Sequence, residues 1–189
     1  ELIGATTDDA AGEAYDKVAT ILKLPYPGGP NIDRLAKEGD ASLHPLPRSY
    51  FHDERLLFSF SGLKTAVLYL VEGHPPHHRD RHELTPEFTA DVCASFQEAV
   101  TEVLVKKCDQ ALNMRGRKTL LVGGGVAANS GLREKLERLG KKRRVERVIP
   151  PMDLCTDNAA MAAVAWERFT RKQFAPLDID VTPGLMRKR

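Results

Sequence analysis

Hydrophobic residues along this chain recur mostly every three or four positions, which is the period of an α-helix. The longest such stretch begins at Thr85, a capping residue followed by Pro86 and Glu87, and continues to about Met114 before Gly116 ends it. The pattern therefore predicts one long helix that buries a single face. Its predicted core stripe comprises Val92, Phe96, Val100, Val103, Leu104 and Leu112.

Shorter helical patterns precede and follow this helix. The first has Thr6 and Thr7 as its cap and runs to about Leu24. Prolines and glycines between residues 25 and 30 then interrupt the pattern and predict a rigid turn. The apolar stripe of the first helix comprises Ala11, Ala14, Tyr15, Val18, Ile21 and Leu22. Further helices are predicted over residues 31–38, 62–72, 126–139 and 159–172.

Three short apolar runs lie between the helices and predict strands, over residues 56–61, 119–122 and 145–149. Alternation of strands and helices is typical of an α/β protein, in which helices flank a sheet. We expect residues 1–174 to form one lobe. Residues 175–189 carry proline, glycine and basic residues, and we expect them to form a loosely ordered tail.

The segment Thr119–Arg133 joins the second strand to the next helix through three glycines, Gly123 to Gly125. Glycines leave the backbone open to a ligand, and the first N–H groups of a helix favour an anion. The sequence therefore predicts a phosphate or nucleoside site at this turn. The alternative is a tight strand-to-helix turn that binds nothing.

Charge and cysteine content restrict the function only weakly. The 189 residues include 28 Lys and Arg against 26 Asp and Glu, so the formal net charge is +2. Basic residues cluster at 141–144 and 187–189, where solvation is the usual role and contact with a polyanion is the alternative.

Three cysteines without C-x-x-C spacing argue against a disulfide framework or a structural zinc site. No apolar run suggests a membrane span, so we expect a cytoplasmic protein.

Four histidines fall within residues 74–82, at His74, His77, His78 and His82. The two adjacent prolines and the lack of thiol ligands argue against a fixed metal geometry there. We therefore interpret this segment as an exposed loop.

Two general motifs fit the chain in part. Residues 123–128 match G-x-G-x-x-A of dinucleotide folds, but the next strand ends without the acid that would hold a ribose. Ser61 and Lys64 match S-x-x-K of serine acyl enzymes, and residues 156–158 resemble S-D-N, but the expected K-T-G does not follow.

A third interpretation rests on six blocks in a fixed order, which together resemble the TsaD family, formerly called O-sialoglycoprotein endopeptidases. The resemblance covers roughly residues 1 to 170. The blocks are DDAAGEAYDKVA (8–19), YPGGPNIDRLA (26–36), FSFSGLKTAV (58–67), ASFQEAV (94–100), GGVAANSGLR (124–133) and CTDNAAM (155–161).

The resemblance implies a fold of the actin, Hsp70 and sugar-kinase type (ASKHA), with a mixed sheet flanked by helices. It implies transfer of a threonylcarbamoyl group from its adenylate to N6 of adenosine 37 in tRNAs that read codons starting with A. It also implies a TsaB-like paralogue, a TsaE-like ATPase and tRNA as partners.

The same resemblance implies roles for particular residues. Asp157, in the CTDN block, matches a ligand of one divalent metal, iron or zinc; the alternative is that it only caps the last helix. The implied contacts to the adenylate or ATP are Asp16, Gly29, Asp33, Gly124, Gly125 and Asn129. No residue is assigned a catalytic step.

The match to the family is incomplete. The family's N-terminal lobe carries an H-x-x-x-H metal pair and a Gly-rich, Ser-containing segment. We expect neither segment in these 189 residues, and the histidines at 74–82 do not replace the metal pair. We therefore expect the C-terminal portion of a two-lobe protein, inactive by itself and prone to self-association through its last helix. A metal-dependent glycoprotein endopeptidase and a non-catalytic nucleotide-binding lobe are the alternatives.

Overall fold

The computed structural model describes residues 1–76 and 81–180. The chain divides into two compact units, Glu1–Thr156 and Asp157–Arg189. Part of the predicted basic tail, residues 181–189, lies outside the described residues, as do His77 and His78. The predicted boundary at residue 174 stays a prediction.

Helices dominate the described residues, and they belong to a mixed α/β protein. The helices are α1 (Ala11–Ile21), α2 (Gly28–Leu35), α3 (Ser61–Glu72), α4 (Pro86–Arg115), α5 (Ser130–Arg143) and α6 (Ala162–Thr170). The strands are β1 (Ala5–Thr6), β2 (Leu57–Phe58), β3 (Thr119–Leu121) and β4 (Glu146–Val148). Short 3₁₀ turns occupy Gly125–Ala128, Met152–Leu154 and Ala159–Met161.

The strands form two separate parallel pairs rather than the single mixed sheet that we expected. Ala5 pairs with Leu57 in the first pair, and Thr119 pairs with Glu146 in the second. Parallel strands require a crossover connection, and α5 supplies one between β3 and β4. The glycine turn therefore follows the C-terminal end of β3 directly.

The long helix α4 is confirmed and organises the core. Thr85 caps it by accepting the Phe88 N–H at 3.2 Å, and Gly116 ends it with φ 57°. Of the predicted stripe, Leu104 is partly buried and the other five residues are buried. The first half of α4 packs in a core cluster with α1, α2 and α3. Its second half packs with α5, β3 and the two residues that flank β4.

Two predicted helix starts are wrong. Thr6 lies in β1, and α1 begins at Ala11, where the Ala10 N–H donates to the Glu13 carboxylate at 3.4 Å. Helix α2 begins at Gly28 rather than at residue 31, inside the segment predicted as a turn. Gly28 can start a helix because the first N–H groups of a helix have no intrahelical partner, and a carboxylate of α1 accepts this one.

The helix predicted over residues 126–139 also differs at both ends. Asn129 adopts an extended conformation with ψ 126°, so a 3₁₀ turn precedes it and α5 begins at Ser130. Gly140 does not end the helix, which continues to Arg143. A Cβ at Gly140 would lie 2.4 Å from Arg147 Cδ, so this glycine allows β4 to approach α5 closely.

None of the helices in the described part of the chain combines the length and the apolar character that crossing a membrane requires.

Candidate functional site

The glycine turn presents open backbone at the end of β3. A Cβ built on Gly123, Gly124 or Gly125 would meet no atom within 4 Å. Gly124 has φ 90°, a conformation that side chains rarely adopt, and its carbonyl accepts the Ala127 N–H at 2.9 Å. A ligand can therefore approach the backbone at this turn without meeting a side chain of these three residues.

Asn129 follows the turn and is the N-cap of α5. Its Oδ1 accepts the Leu132 N–H at 2.9 Å. Its Nδ2 donates to Gln97 Oε1 at 2.6 Å and to Tyr15 Oη at 3.3 Å. The side chain is only 6 % exposed, so its bonds are made inside the protein and anchor the turn to α1 and α4.

Asp33 joins α2 to the start of α5. Its Oδ1 accepts from Ser130 twice, from the backbone N–H at 3.1 Å and from the hydroxyl at 2.8 Å. Lys37 Nζ lies 3.8 Å from the other carboxylate oxygen. This pairing holds the second half of α2 beside the N-terminus of α5.

Asp16 joins α1 to α2 in the same manner. Its Oδ1 accepts the Gly28 N–H at 2.8 Å. A Cβ at Gly28 would lie 2.6 Å from Ala19 Cβ, so the two helices meet here without space for a side chain. A Cβ at Gly29 would meet nothing within 4 Å, which leaves this glycine open to a ligand.

The two carboxylates, Gly29 and the glycine turn thus belong to one connected arrangement. Val126 in the turn reaches α1, where its Cγ2 lies 3.5 Å from a Cβ built on Gly12. A carboxylate has about four acceptor positions, so Asp16 and Asp33 retain acceptor capacity for hydroxyl groups. Open backbone and helix N-termini beside them suit an anionic or nucleoside ligand.

Tyr15 supports this arrangement from the core. Its ring packs edge-to-face on Phe96, with 5.0 Å between ring centroids. Burial, and to a smaller extent Asp33 and Cys93, raise the pKa of the Tyr15 phenol above its usual range. The phenol therefore remains neutral and can accept the hydrogen bond from Asn129.

Asp157 begins the second unit and is exposed. The capping alternative for this residue is wrong, because Asn158 accepts the Ala160 N–H at 2.9 Å and is the cap itself. Within residues 1–76 and 81–180, no three His, Cys, Asp or Glu side chains are grouped to hold a metal ion. Asp157 can supply one carboxylate, but the described residues do not fit a complete divalent-metal site.

Ser61, the serine of the S-x-x-K match, has a structural partner. Its hydroxyl donates to Asp8 Oδ2 at 2.6 Å, and Asp8 Oδ1 accepts the Phe60 N–H at 2.8 Å. Burial acts to raise the pKa of Asp8, but the hydrogen bonds from Ser59, Ser61 and Phe60 outweigh it, so the pKa is lowered. The ionised Asp8 thus fixes the start of α3, and this geometry does not activate a serine nucleophile.

A separate cavity of about 470 Å³ lies beside α3. None of the predicted site residues lines it. Its walls are His44, Pro45, Leu46, Pro47, Ala66, Tyr69, Leu70, His74 and His82.

Sequence reasoning missed the side chains that support the site. Tyr15 was assigned only to the core, and Gln97, Ser130 and Arg133 were assigned no role. All four lie inside the blocks 8–19, 94–100 and 124–133. The sequence could have indicated a role for them only through their position next to residues with an implied ligand contact.

The fold and this site together define a mixed α/β protein that presents a strand–glycine–helix turn and two carboxylates to a ligand. The family model for TsaD, tRNA N6-adenosine threonylcarbamoyltransferase, matches residues 1–164. The chain belongs to this family.

Similar proteins agree with this assignment. A protein of Rhodopirellula baltica is 47 % identical over 99 % of this chain, and one of Trichlorobacter lovleyi is 53 % identical over 89 %. A Bacillus cereus protein is 50 % identical over 98 %. All three are named tRNA N6-adenosine threonylcarbamoyltransferase. The matches cover 55 %, 47 % and 52 % of those proteins, so the chain spans about half the length of these relatives.

Proposed function

We propose that this chain forms the adenylate-contacting part of a tRNA N6-adenosine threonylcarbamoyltransferase with an ASKHA fold. The observation that carries the proposal is the connection of the glycine turn, Gly29, Asp16 and Asp33 through Gly28 and Ser130. These are the residues for which the family resemblance implies adenylate contacts. Membership of the family supports the reaction.

The proposed reaction is an acyl transfer from a mixed anhydride. The N6 nitrogen of adenosine attacks the carbamoyl carbon, the bond from that carbon to the phosphate oxygen breaks, and AMP leaves with the electron pair. N6 loses one proton. Because the adenylate is already activated, binding and orientation of the two substrates contribute much of the rate.

The residues of this chain act by binding and orienting the adenylate. Asp16 and Asp33 accept hydrogen bonds from ribose hydroxyls, which carboxylates bind well. The backbone of Gly124 and Gly125 faces the phosphate, where the N–H groups of the turn and the dipole of α5 favour negative charge. Asn129 holds the start of α5 in place from the protein side.

We further propose that Asp157 contributes one carboxylate to a divalent ion, iron or zinc. Among the described residues, no group of three His, Cys, Asp or Glu side chains completes such a site. A single carboxylate binds a divalent ion weakly, because affinity depends on several ligands held together. Asp157→Asn in a protein that includes the remaining ligands removes one ligand and should lower the metal content, measured by elemental analysis, while the protein stays folded.

The proposed partners are tRNA, a TsaB-like paralogue and a TsaE-like ATPase, in the cytoplasm. The basic cluster at residues 141–144 is a candidate tRNA contact. Within it Lys141 pairs with Glu137 at 2.9 Å and Arg143 pairs with Asp109 at 2.5 Å, so acidic neighbours compensate part of its charge.

The nucleotide site is tested by calorimetry with AMP and with ATP, in a protein that includes the rest of the relatives' length, because we expect these 189 residues alone to bind nucleotide weakly or not at all. Gly125→Val fills the open surface of the turn and should abolish any measurable binding. Gly125 suits this test better than Gly124, whose φ of 90° would add backbone strain to any substitution. Gly62→Val, which adds the same side chain at the start of α3, is the control and should bind like the wild type.

Unchanged affinity in a folded Gly125→Val variant would contradict the assignment of the turn. A folded wild-type protein that includes the rest of the relatives' length and binds neither nucleotide would contradict the proposal that these residues contact the adenylate.

A further inference from the structure

One guanidinium group contacts three residues in two segments, the turn after β3 and the segment of residues 150–155. Arg133 lies in the first turn of α5 and is partly buried. Its Nε donates to the Ala127 carbonyl at 2.6 Å. Its Nη2 donates to the Pro150 carbonyl and lies 3.2 Å from Cys155 Sγ.

The sulfur atom is part of the same arrangement. Cys155 is 4 % exposed, and its thiol donates to the Pro151 carbonyl at 3.4 Å. The segment from Pro150 to Cys155 is thus tied to α5 at both ends. Along the chain, this segment ends two residues before Asp157.

The chemistry of arginine suits this position. Its planar group carries five N–H donors in a fixed geometry, so it can bond several acceptors in different directions at once. A lysine keeps the charge but presents it at a single nitrogen. Substitution by lysine therefore separates the effect of the charge from that of the three-way connection.

We infer that Arg133 is a positioning residue that sets the place of the Pro150–Cys155 segment relative to the glycine turn. It bonds Ala127 of the turn on one side and Cys155 on the other. The effect of Arg133 on catalysis rests on the proposed function, in which the turn holds the adenylate and Asp157 holds the metal. Arg133 itself contacts neither.

The inference is tested through the reactivity of Cys155 in the full chain. A thiol-alkylating reagent is applied in time courses, and labelling at each cysteine is measured by peptide mass spectrometry. Cys93 and Cys108 are internal controls, because burial raises the pKa of Cys93 to about 12 and that of Cys108 to about 11. Both should label slowly in every folded variant.

Arg133→Ala should increase the labelling rate of Cys155 roughly tenfold or more, because the Pro150–Cys155 segment loses its bonds to α5 and the buried sulfur becomes accessible to the reagent. Arg133→Lys should also label faster than the wild type. Arg138→Ala removes an exposed arginine of the same helix that pairs only with Glu134, and should behave like the wild type.

Equal Cys155 labelling in the wild type and a folded Arg133→Ala variant would overturn the inference. Wild-type protection in Arg133→Lys would overturn the three-way connection in favour of a simple charge effect. If Arg133→Ala unfolds, all three cysteines label rapidly. The labelling rate of Cys155 in Arg133→Lys then tests the inference.

A second series adds AMP at the same reagent concentration, in the protein that includes the rest of the relatives' length. If the turn binds AMP, wild-type Cys155 should label more slowly with AMP present, and Arg133→Ala should lose this effect. AMP binding by calorimetry without any change in Cys155 labelling would contradict the connection between turn and segment. No AMP binding at all would count against the proposed function and leave the labelling test of Arg133 intact.

Discussion

Three carboxylates, two of them at the candidate site, each bond the backbone at the start of a helix. Asp16 accepts from Gly28, Asp33 accepts from Ser130, and Asp8 accepts from Phe60. The first N–H groups of a helix lack intrahelical partners, so an acid placed there satisfies them and is itself held in one orientation. The same contacts orient the side chains that we propose for ligand binding.

Asn129→Ala should lower the free energy of unfolding by roughly 0.5–2 kcal/mol, the usual effect of losing an N-cap. It also removes the donor to Gln97 Oε1 and so leaves that oxygen without this bond. Asn129→Ser keeps a capping oxygen and should lose less stability. Urea unfolding compares the three proteins, and equal losses in both variants would show that the cap contributes little.

Asp8→Asn should destabilise the protein in a pH-dependent way. The pKa of Asp8 is lowered below its ordinary value of 3.8, so ionised Asp8 contributes stability above that value. The contribution is lost as the pH falls through the lowered pKa. The difference in free energy of unfolding between wild type and Asp8→Asn should therefore be constant from about pH 7 to about pH 5 and shrink below 3.8.

Urea unfolding at a series of pH values measures this difference. Ser61→Ala is the control, because it removes one of the hydrogen bonds that lower the pKa of Asp8 and should move the loss to higher pH. A difference that persists unchanged to about pH 2 would contradict this role of Asp8.

At the scale of the elements, close approach of helices decides where α2 begins. Pro27 is its extended N-cap, and Gly28 lies against α1 with no space for a Cβ. Gly29 is the next residue and faces open space. Adjacent glycines thus serve packing in one case and, as we propose, ligand access in the other.

Gly28→Ala should lower the free energy of unfolding by roughly 1–3 kcal/mol, because its Cβ would lie 2.6 Å from Ala19 Cβ. Gly29→Ala adds the same methyl group without a clash and should change stability by about 0.5 kcal/mol or less. Urea unfolding measures both. Similar losses in the two variants would contradict the packing role assigned to Gly28.

At the scale of the whole molecule, the second unit carries apolar side chains that are not buried. Trp166 is 68 % exposed and Phe169 is 60 % exposed, and their rings stack with 5.8 Å between centroids. Met161 and Val164 are also exposed. Grouped apolar side chains on a surface favour association.

We expect this chain to self-associate as its concentration rises. Sedimentation velocity over a range of concentrations should show dimers or larger species, and Phe169→Lys should reduce them. Leu177→Lys, at an exposed apolar residue outside α6, is the control and should reduce them less. A monomer at every concentration would show that these residues do not drive association.

Sequence alone determined those helices and turns whose bounds depend on neighbouring residues. The cap at Thr85 and the end at Gly116 predicted the bounds of α4 to within a residue, since capping depends on neighbouring residues. The three consecutive glycines likewise predicted the turn after β3. The ordered blocks of residues sufficed to identify the family.

Only the tertiary structure decided how the site is held together. The bonds from Asp16 to Gly28, from Asp33 to Ser130 and from Gln97 to Asn129 join residues 12, 97 and 32 positions apart. Periodicity reports which face of an element is buried but not which distant segment meets it. For the same reason the start of α2 and the extended Asn129 escaped prediction, because each depends on a partner from another element.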